Sequence, residues 1–461
     1  MSTGLRRPYQ AVDYDEIARR YPPPPEYYET AYFDGPEQIE RKQLARLQQR
    51  AQTAYQVPFF AQRWDAVGFD PRSIRTIDDL SRVPFYTVDD IRKSIEAHPP
   101  WGDYQGVTPE AALREPMRVY MSGGTTGTSR PTFYTQWDRE VGTLLMARGL
   151  YAQGIRPGDV VLNSWSYGTH NGAWSFDEAL YRWLNCVVLT TSTGKVTATE
   201  KQVDLAVEYK ANAILTTGDY LLRLMEVARE RGYDAGNDLK ITALTNMGDR
   251  DALEAAFGLP YYRSYGFHEV QWVAQECAAR DGLHVYEDAF VVQIVDPETG
   301  EEVPDGQSGA MVITELYKSG SPQFRYNNMD LSFRYPREQC ACGSWLRRIG
   351  PFAGRGDNMV KLRGTNVWPE AVGELAMAVD GVTTDYFVQA VREGNRDEMR
   401  LSVVGDGDPA GFGELASTVA KRLADILGVA IDVRVVRPGE LDALTEIETL
   451  PKPKRFQDLR G

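Results

Sequence analysis

Apolar and polar positions first follow a helical period near the N-terminus. Between residues 36 and 55, apolar side chains recur at three- and four-residue steps: Leu44, Leu47, Ala51 and Ala54. Charged side chains lie away from that face: Glu40, Arg41, Arg46 and Arg50. This period predicts an amphipathic helix over 36–55. A second helix is expected after Thr87, because Asp89 and Asp90 give it the acidic first turn that favours a helix N-terminus.

From about residue 117 onward, short apolar runs alternate with helical periods. The apolar runs predict strands at 160–163, 187–190, 213–216 and 242–245. Helical periods lie between the strands, at 203–209 and 220–231. Alternation of this kind is typical of a parallel α/β core.

Residues 290–316 have a different pattern. Strands are expected at 290–296 and 309–315, and Pro297, Gly300 and their neighbours supply the turn chemistry of a β-hairpin. The pattern therefore predicts antiparallel structure after the parallel core.

Past Gly364 the chain predicts a smaller α+β unit of about 100 residues. Strands at 386–391 and 399–404 flank a turn at 393–396, and a further strand is expected at 431–436. A helix is expected between the strands at 399–404 and 431–436. Its apolar residues lie on one face: Leu415, Val419, Leu423, Ile426 and Leu427. The fold class expected for the whole chain is α/β, with a large N-terminal domain of β-sheets and flanking helices and a small α+β C-terminal domain.

Composition and charge narrow the class of protein. The 461 residues include 51 Lys and Arg and 65 Asp and Glu, which gives a formal net charge of −14 at pH 7. A chain this acidic lacks the basic footprint of a sequence-independent nucleic-acid binder. Four cysteines exclude a disulfide-rich secreted scaffold.

The N-terminal residues predict neither a signal peptide nor an anchor. Residues 1–20 have no apolar h-region, and nothing in the chain approaches the ~18 apolar residues of a membrane-spanning helix. We therefore expect a soluble cytoplasmic protein without membrane partners. Pro22–Pro25 predict a stiff extended segment that separates a short polar arm from the body.

The most informative segment runs from Tyr120 to Thr132 and contains Ser-Gly-Gly-Thr-Thr-Gly at 122–127. Glycines let backbone N–H groups approach an anion, and hydroxyl groups add donors. A Walker A loop would need a lysine after Gly127, and none is present. A plain surface loop of Gly, Ser and Thr is the remaining alternative.

This hexapeptide resembles the phosphate loop of adenylate-forming enzymes, the acyl- and aryl-CoA synthetase superfamily, and the chain is most similar to phenylacetate–CoA ligases. The resemblance begins near residue 28 and includes Pro58–Phe60 and Leu80–Phe85. It implies that the loop holds ATP phosphates, with Thr125 in a catalytic role. The other residues expected at the phosphates are Ser122, Gly123, Gly124, Thr126 and Gly127.

Further segments resemble the family in the family's order. In Ser264–Glu269, the resemblance implies that Tyr265 stacks on adenine and Glu269 holds Mg²⁺, with Gly266 and His268 beside the nucleotide. Asp330 is expected at the ribose hydroxyls.

The hinge segment 354–369 is the strongest single match. There the resemblance places Arg355 near the ribose and phosphate and makes Asp357 the pivot. Lys452 is expected to be the catalytic lysine, carried by a mobile C-terminal domain.

Three departures from the family cluster around the nucleotide. Thr128, Ser129 and Arg130 lengthen the phosphate loop before Pro131, and Arg130 adds a cation. His268 stands where Thr or Ser is usual. Asn327 and Asn328 replace the usual Arg-Thr pair before Asp330. These changes indicate an altered substrate, an altered acceptor, or drift.

An aromatic stretch marks the region that, by resemblance, lines the acyl pocket: Trp165, Tyr167, His170, Trp174 and Phe176. A flat aromatic acid needs such walls, although an aromatic run also suits a hydrophobic core. The pocket residues expected from the resemblance are Tyr167, His170, Trp174 and Gly248.

Three cysteines and a histidine form a candidate zinc site: Cys277, His284, Cys340 and Cys342. Thiolates and an imidazole suit tetrahedral zinc, but free thiols with a hydrogen-bonded histidine remain open on the residues alone. Some phenylacetate–CoA ligases look similar here and bind zinc, so the resemblance implies structural Zn²⁺. Cys186 lies in an apolar run and is expected in the core.

Together these features predict ATP-dependent activation of an aromatic acid as its acyl-adenylate, followed by transfer to CoA. We expect residues 1–354 to form the adenylation domain, with a helical segment at 28–110, and residues 355–461 to form the cap domain. The expected partners are a carboxylic acid, ATP with Mg²⁺, CoA and a second copy in a homodimer, with no nucleic acid. Two alternatives stay open: transfer to an amine or a carrier-protein thiol, and a degenerate nucleotide-binding or assembly protein.

Overall fold

The computed structural model describes residues 7–122, 129–234, 250–257, 261–297, 299–356, 360–362, 365–393, 396–447 and 453–460. The chain divides into two compact units. The larger unit contains residues 1–328 and 332–351, and the smaller one contains 329–331 and 352–461. Each unit is described separately below.

The larger unit contains helices of very different lengths. They are α1 Pro8–Ala11, α2 Tyr14–Arg20, α3 Glu26–Glu29, α4 Pro36–Ala54, α5 Pro58–Ala66, α6 Val88–Ala97, α7 Gln136–Ala152, α8 Gly172–Glu178, α9 Thr199–Glu208, α10 Gly218–Glu230 and α11 Arg250–Phe257. Its strands are β1 Met117–Ser122, β2 Arg130–Thr135, β3 Val160–Asn163, β4 Val187–Thr190, β5 Ala213–Leu215, β6 Ser264–Phe267, β7 Gln271–Glu276, β8 Leu283–Val285, β9 Phe290–Val295, β10 Gly309–Glu315, β11 Tyr326–Ser332 and β12 Arg348–Ile349. Residues 329–331 of β11 belong to the smaller unit.

A parallel sheet forms where the alternating pattern predicted one. Its strand order is β4-β3-β5, and β3 pairs in parallel with both neighbours. The predicted strands at 160–163, 187–190 and 213–216 are confirmed, the last ending at Leu215. The expected strand at 242–245 lies outside the described residues.

Antiparallel pairing dominates the rest of the larger unit. One sheet has the order β12-β8-β7-β6, another has β11-β10-β9, and β1 pairs with β2. β9 and β10 are antiparallel with Ala310 opposite Val295, which confirms the predicted hairpin. Both strands are buried along their whole length, as expected for the inside of a large domain.

The helical predictions near the N-terminus are confirmed, with one correction. Helix α4 covers Pro36–Ala54, and Leu47 and Ala51 are fully buried. Thr87 and Asp90 form the capping box of α6. Arg50, however, is only 8% exposed rather than on a solvated face. Burial lowers the pKa of Arg50, and the acidic residues Glu315 and Asp138 oppose that shift.

The prediction of a short polar arm, separated from the body by a stiff extended segment at Pro22–Pro25, is wrong. Ile17 and Tyr21 are fully buried in the main hydrophobic core. Pro24 and Pro25 lie in a turn that leads into α3, not in an extended spacer. Ile17 lies in α2 and Tyr21 follows its last residue, so this short helix and its C-terminal end both contribute apolar side chains to the core.

The smaller unit contains one four-stranded sheet, one hairpin and three helices among its described residues. The strands are β13 Val360–Leu362, β14 Thr365–Val367, β15 Val382–Glu393, β16 Arg396–Gly405, β17 Asp432–Val436 and β18 Phe456–Asp458, and the helices are α12 Pro369–Met377, α13 Phe412–Leu427 and α14 Asp442–Thr445. The sheet order is β17-β16-β15-β18, with β15 and β16 antiparallel as predicted.

Helix α13 covers this sheet with the predicted stripe, apart from its last turn. Val419 and Leu423 are fully buried, whereas Ile426 is 54% exposed. Ile426 has nearly the angular position of Val419, so its place in the last turn before Gly428 accounts for its exposure. The prediction that Ile426 faces the core is therefore wrong.

Among the described residues, no helix combines the length and the apolar composition needed to cross a lipid bilayer.

Candidate active site

The turn between β6 and β7 carries Glu269, whose side chain is 7% exposed. The Ser122 hydroxyl, at the end of β1, lies 3.4 Å from Glu269 Oε1. The guanidinium of Arg130, at the start of β2, lies 3.8 Å from the same oxygen. Hard oxygen donors of this kind fit Mg²⁺, which proteins hold through one or two carboxylates together with substrate phosphates.

Side chains that the sequence did not reveal hold the backbone of this turn. The Tyr134 hydroxyl lies 2.9 Å from the carbonyl oxygen of His268 and 3.0 Å from that of Glu269. Asn171 Nδ2 donates to the His268 carbonyl at 2.6 Å, and Lys318 Nζ donates to the Glu269 carbonyl at 2.5 Å. The turn that aims Glu269 is thus fixed from three separate elements.

His268 brings a neutral imidazole next to Glu269. Burial lowers the pKa of His268 to about 4, so the ring is uncharged near neutral pH. Its Nε2 atom is buried and has no hydrogen-bond partner among the described residues. The ring lies perpendicular to that of His170, with the centroids 5.9 Å apart. The departure from the usual Thr or Ser therefore replaces a hydroxyl by a second ring beside His170.

Tyr265 and Gly266 form the bulged part of β6. Tyr265 is buried, and its hydroxyl accepts a hydrogen bond from Asn328 Nδ2 at 2.6 Å. A Cβ atom on Gly266 would lie 2.0 Å from the carbonyl oxygen of Gln271, so only glycine fits this close approach of β6 and β7. Asn328, another departure from the family pattern, thus contacts the residue expected at the adenine.

In the smaller unit, Asp330 and Arg355 come together through backbone pairing. The Leu331 N–H donates to the Gly354 carbonyl at 2.8 Å, and the Ala353 N–H donates to the Leu331 carbonyl at 2.9 Å. This pairing leaves an Arg355 guanidinium nitrogen 4.0 Å from Asp330 Oδ1. A carboxylate and a guanidinium side by side suit hydroxyl and phosphate groups of a nucleotide.

Several expected site residues lie outside the described residues. They are Gly123, Gly124, Thr125, Thr126 and Gly127 of the glycine loop, Gly248, Asp357 and Lys452.

The aromatic stretch divides into core residues and more exposed ones. Phe176 is buried with its ring edge-on to Trp272, and Trp165 packs against the same cluster. Tyr167 and Trp174 are half-buried, with perpendicular rings 5.1 Å apart. The Tyr167 hydroxyl donates to Asp177 Oδ1 at 3.0 Å.

The three cysteines and the histidine converge on one point. One ligand atom from each of Cys277, His284, Cys340 and Cys342 lies within 4.8 Å of all the others. Cys277 follows β7, His284 lies in β8, and the other two cysteines lie in the loop before β12. The Sγ atoms of Cys277 and Cys340 are 3.8 Å apart.

This geometry fits a tetrahedral metal. Two thiolates bound at about 2.3 Å in a tetrahedron lie about 3.8 Å apart. Hydrogen bonds with Cys277, His284 and Tyr32 lower the pKa of Cys342, while the hydrogen bond with Cys342 raises the pKa of Cys277, so one thiolate of this pair is favoured. His284 Nδ1 is buried without a hydrogen-bond partner among the described residues. Cys186 is 7% exposed, and burial raises the pKa of its thiol to about 12, as expected of a core residue.

Comparison with known proteins identifies the family. Residues 364–460 match the model of the AMP-binding enzyme C-terminal domain. The chain is 32% identical over 430 residues to the phenylacetate–coenzyme A ligase of Thermus thermophilus, covering 88% of this chain and 94% of that protein. The chain belongs to the phenylacetate–coenzyme A ligase family. The ligase of Aromatoleum evansii is 30% identical over 440 residues, covering 92% of this chain and 95% of the relative.

Solved structures show the fold that this member of the phenylacetate–coenzyme A ligase family adopts. A 2-hydroxyisobutyryl-CoA ligase in the postadenylation state, in complex with 2-HIB-AMP, superposes with a TM-score of 0.80 at 24% identity, covering 100% of this chain and 95% of that chain. The same enzyme with 2-HIB-AMP and CoA in the thioesterification state gives 0.67 at 25% identity, covering 100% and 96%. The predicted fold class is confirmed: a mixed α/β chain with a large N-terminal and a small C-terminal part.

Proposed function

We propose that this protein is an AMP-forming acid–thiol ligase that converts an aromatic carboxylic acid to its acyl-adenylate and then to its CoA thioester. The observation that carries the proposal is the Ser122–Glu269 contact, which joins the start of the glycine loop to a buried carboxylate in a chain of this family. Adenylation brings a carboxylate to the α-phosphate of ATP and expels pyrophosphate, so positioning and charge compensation dominate its barrier.

In the larger unit, the proposed roles follow the contacts. Ser122 and the loop residues Gly123–Gly127 are proposed to hold the ATP phosphates, with Thr125 in a catalytic role. Glu269 holds Mg²⁺, which offsets the charge of the leaving pyrophosphate when it is bound. Tyr265, fixed by Asn328, presents its ring to adenine, and Gly266 and His268 line the same side. The neighbouring Arg130 guanidinium adds positive charge at Glu269.

In the smaller unit, Asp330 and Arg355 are proposed to bind the ribose hydroxyls and a phosphate. Their 4.0 Å separation leaves one acceptor and one donor group side by side. Asp357 is the proposed hinge between an adenylation domain (1–354) and a cap domain (355–461). Lys452 is proposed to bridge the substrate carboxylate and the α-phosphate, and a domain rotation would then exchange it for the CoA arm.

The acid is proposed to bind at Tyr167, His170, Trp174 and Gly248. Tyr167 and Trp174 offer half-buried ring faces, which suit a flat apolar group. The His170 ring lies edge-on to the ring of His268, with the centroids 5.9 Å apart, so ring nitrogens of both residues are proposed to offer hydrogen-bonding groups to the acid. An aromatic acid with a small polar substituent could pack its ring against Tyr167 and Trp174 and hydrogen-bond to the imidazole groups of His170 and His268.

A structural zinc ion is proposed at Cys277, His284, Cys340 and Cys342. The 3.8 Å separation of Cys277 Sγ from Cys340 Sγ and the 3.5 Å separation of His284 Nε2 from Cys342 Sγ support it. Four protein ligands leave no open position, so the metal would tie the loop before β12 to β7 and β8 rather than act on substrate.

The test is a pyrophosphate-release screen with benzoates, phenylacetates and aminobenzoates, followed by AMP release with and without CoA. The proposal expects acid-dependent pyrophosphate release and CoA-dependent AMP turnover. Turnover without CoA in the presence of an amine or a carrier protein would show that this compound, and not CoA, accepts the activated acyl group. Bound ATP with no pyrophosphate exchange for any acid would contradict the enzyme assignment.

A further inference from the structure

Lys318 is a fully buried lysine behind the turn that carries Glu269. It lies three residues after the end of β10 and is 0% exposed. Its ammonium donates to the backbone carbonyl of Glu269 at 2.5 Å and lies 3.7 Å from the centroid of the Tyr134 ring. Tyr134 itself hydrogen-bonds the carbonyl oxygens of His268 and Glu269. Lysine and tyrosine thus hold the same short stretch of backbone.

The loop that carries Lys318 is fixed by a buried aspartate. Asp138, in the first turn of α7 and 0% exposed, accepts hydrogen bonds from the backbone N–H of Ser319 at 2.7 Å and of Gly320 at 2.8 Å. Thr135 and Asp138 form the capping box of α7, so Asp138 is itself immobilised. A chain of contacts therefore runs from the start of α7 through Lys318 to Glu269.

Burying an ammonium group is costly unless it is paired, and burial lowers the pKa of Lys318. The negative charge of Asp138 and the ring of Tyr134 offset that cost. An apolar residue could fill the same volume without any of these contacts. What an apolar residue could not do is bind the Glu269 carbonyl, which is the contact that reaches the candidate active site.

We infer that Lys318 is a positioning residue that orients Glu269 for its metal through the backbone of the 268–270 turn. This inference rests on the proposed function, because it takes Glu269 as the Mg²⁺ ligand. Groups one step removed from a metal ligand typically change metal affinity or activity by about 10–100-fold. Without the ammonium, the Glu269 carbonyl loses a donor inside a buried site, and the carboxylate is no longer held beside Ser122.

The experiment measures ATP binding by titration calorimetry, with Mg²⁺ and with EDTA, and without any acid. Lys318→Met is compared with Arg148→Met. Arg148 serves as the control because it is another fully buried cation beside an aromatic ring, 3.7 Å from the centroid of Tyr27, and its ion pair is with Asp288 rather than with the 268–270 turn. Lys318→Met is expected to weaken binding in Mg²⁺ by about 10–100-fold and to leave binding in EDTA unchanged. Arg148→Met is expected to leave both values within about twofold of wild type.

A double-mutant cycle with Glu269→Gln separates positioning from general damage. If Lys318 acts through Glu269, Lys318→Met causes no further loss in the Glu269→Gln background. Lys318→Arg, which keeps the cation but displaces its donors, gives the same coupling and is used if the Met variant does not fold.

Three results would overturn the inference: full additivity in the cycle, an equal loss in EDTA, or an equal loss in Arg148→Met. Wild-type protein that binds MgATP but exchanges no pyrophosphate would contradict the proposed function and leave this test intact. Wild-type protein that binds no ATP would contradict both.

Discussion

The Ser122 hydroxyl lies 3.4 Å from Glu269 Oε1, although 147 residues separate the two in sequence. Ser122 is the last residue of β1, immediately before the glycine loop, and Glu269 lies in the turn between β6 and β7. Both side chains are buried, so the contact is strong for its length because water does not compete for it. The pair connects the proposed phosphate loop to the proposed metal ligand inside one compact unit.

Glu269→Gln should reduce acid-dependent pyrophosphate exchange by about 10²–10³-fold, since it removes the charge that holds Mg²⁺ and keeps the shape. The Mg²⁺ concentration needed for half-maximal exchange should rise. Glu276→Gln serves as a matched control. Glu276 is the last residue of β7, is 4% exposed and forms an ion pair with Arg250. Equal losses in the two variants would assign the effect to damaged packing rather than to the metal.

Lys452→Ala should abolish pyrophosphate exchange while leaving thioester formation from synthetic acyl-adenylate and CoA largely intact. The reason is that a cation between two anions matters only while the carboxylate attacks the α-phosphate. Lys454→Ala is the control, two residues further along the same segment. Pyrophosphate exchange at the wild-type rate in Lys452→Ala would show that Lys452 is not needed for adenylation, which contradicts its proposed role.

Elements with a clear period were predictable from the sequence, and contacts between elements were not. The period of 36–55 gave α4, and alternation gave the strands at 160–163 and 187–190. The glycine loop and the Tyr-Gly-x-x-Glu segment were visible as motifs because their residues are adjacent in the chain. Sequence resemblance then gave the family, which the comparisons confirm.

The residues that hold the site were not visible, because their partners are distant in the chain. Tyr134 contacts Glu269 across 135 residues, and Lys318 contacts it across 49. The sequence showed only that Arg50 lies away from the apolar face of α4, because the acidic residues near it, Glu315 and Asp138, lie in other elements. Likewise, Ile17 in α2 and Tyr21 directly after it are too few to show a period, so neither was expected in the core.

Trp174→Ala should raise the KM for the acid by about 10-fold, equivalent to ~1.4 kcal/mol, and leave the KM for ATP unchanged. The indole packs edge-on against Tyr167, and truncation removes one wall of the proposed pocket. Tyr181→Ala is the control, since Tyr181 is 69% exposed shortly after α8. A change in the KM for ATP alone would indicate that Trp174 contributes to the nucleotide site and not to the acid pocket.

Purified protein should contain close to one equivalent of zinc by metal analysis under non-chelating conditions. Cys342→Ser should lose the metal and unfold at a lower temperature, because the site joins β8 to the loop before β12. Cys186→Ala keeps all four proposed ligands and should retain zinc. Less than about a tenth of an equivalent in the wild-type protein would contradict a structural zinc site.

Glu315→Gln should stabilise the protein at pH 8 and have little effect at pH 4.5. Burial raises the pKa of Glu315 from 4.5 to about 8, against the opposing charge of Lys318. Between these two values the folded protein retains a proton that the unfolded chain releases, so stability falls as pH rises through this window. The free energy of unfolding changes by at most about 1.4 kcal/mol per pH unit for this one group.

Urea unfolding at pH 4.5, 6 and 8 measures the free energy of unfolding of the wild type and of Glu315→Gln, with the exposed Glu301→Gln as the control. A Glu315→Gln variant that parallels wild type at all three pH values would show that Glu315 is ionised in the folded protein.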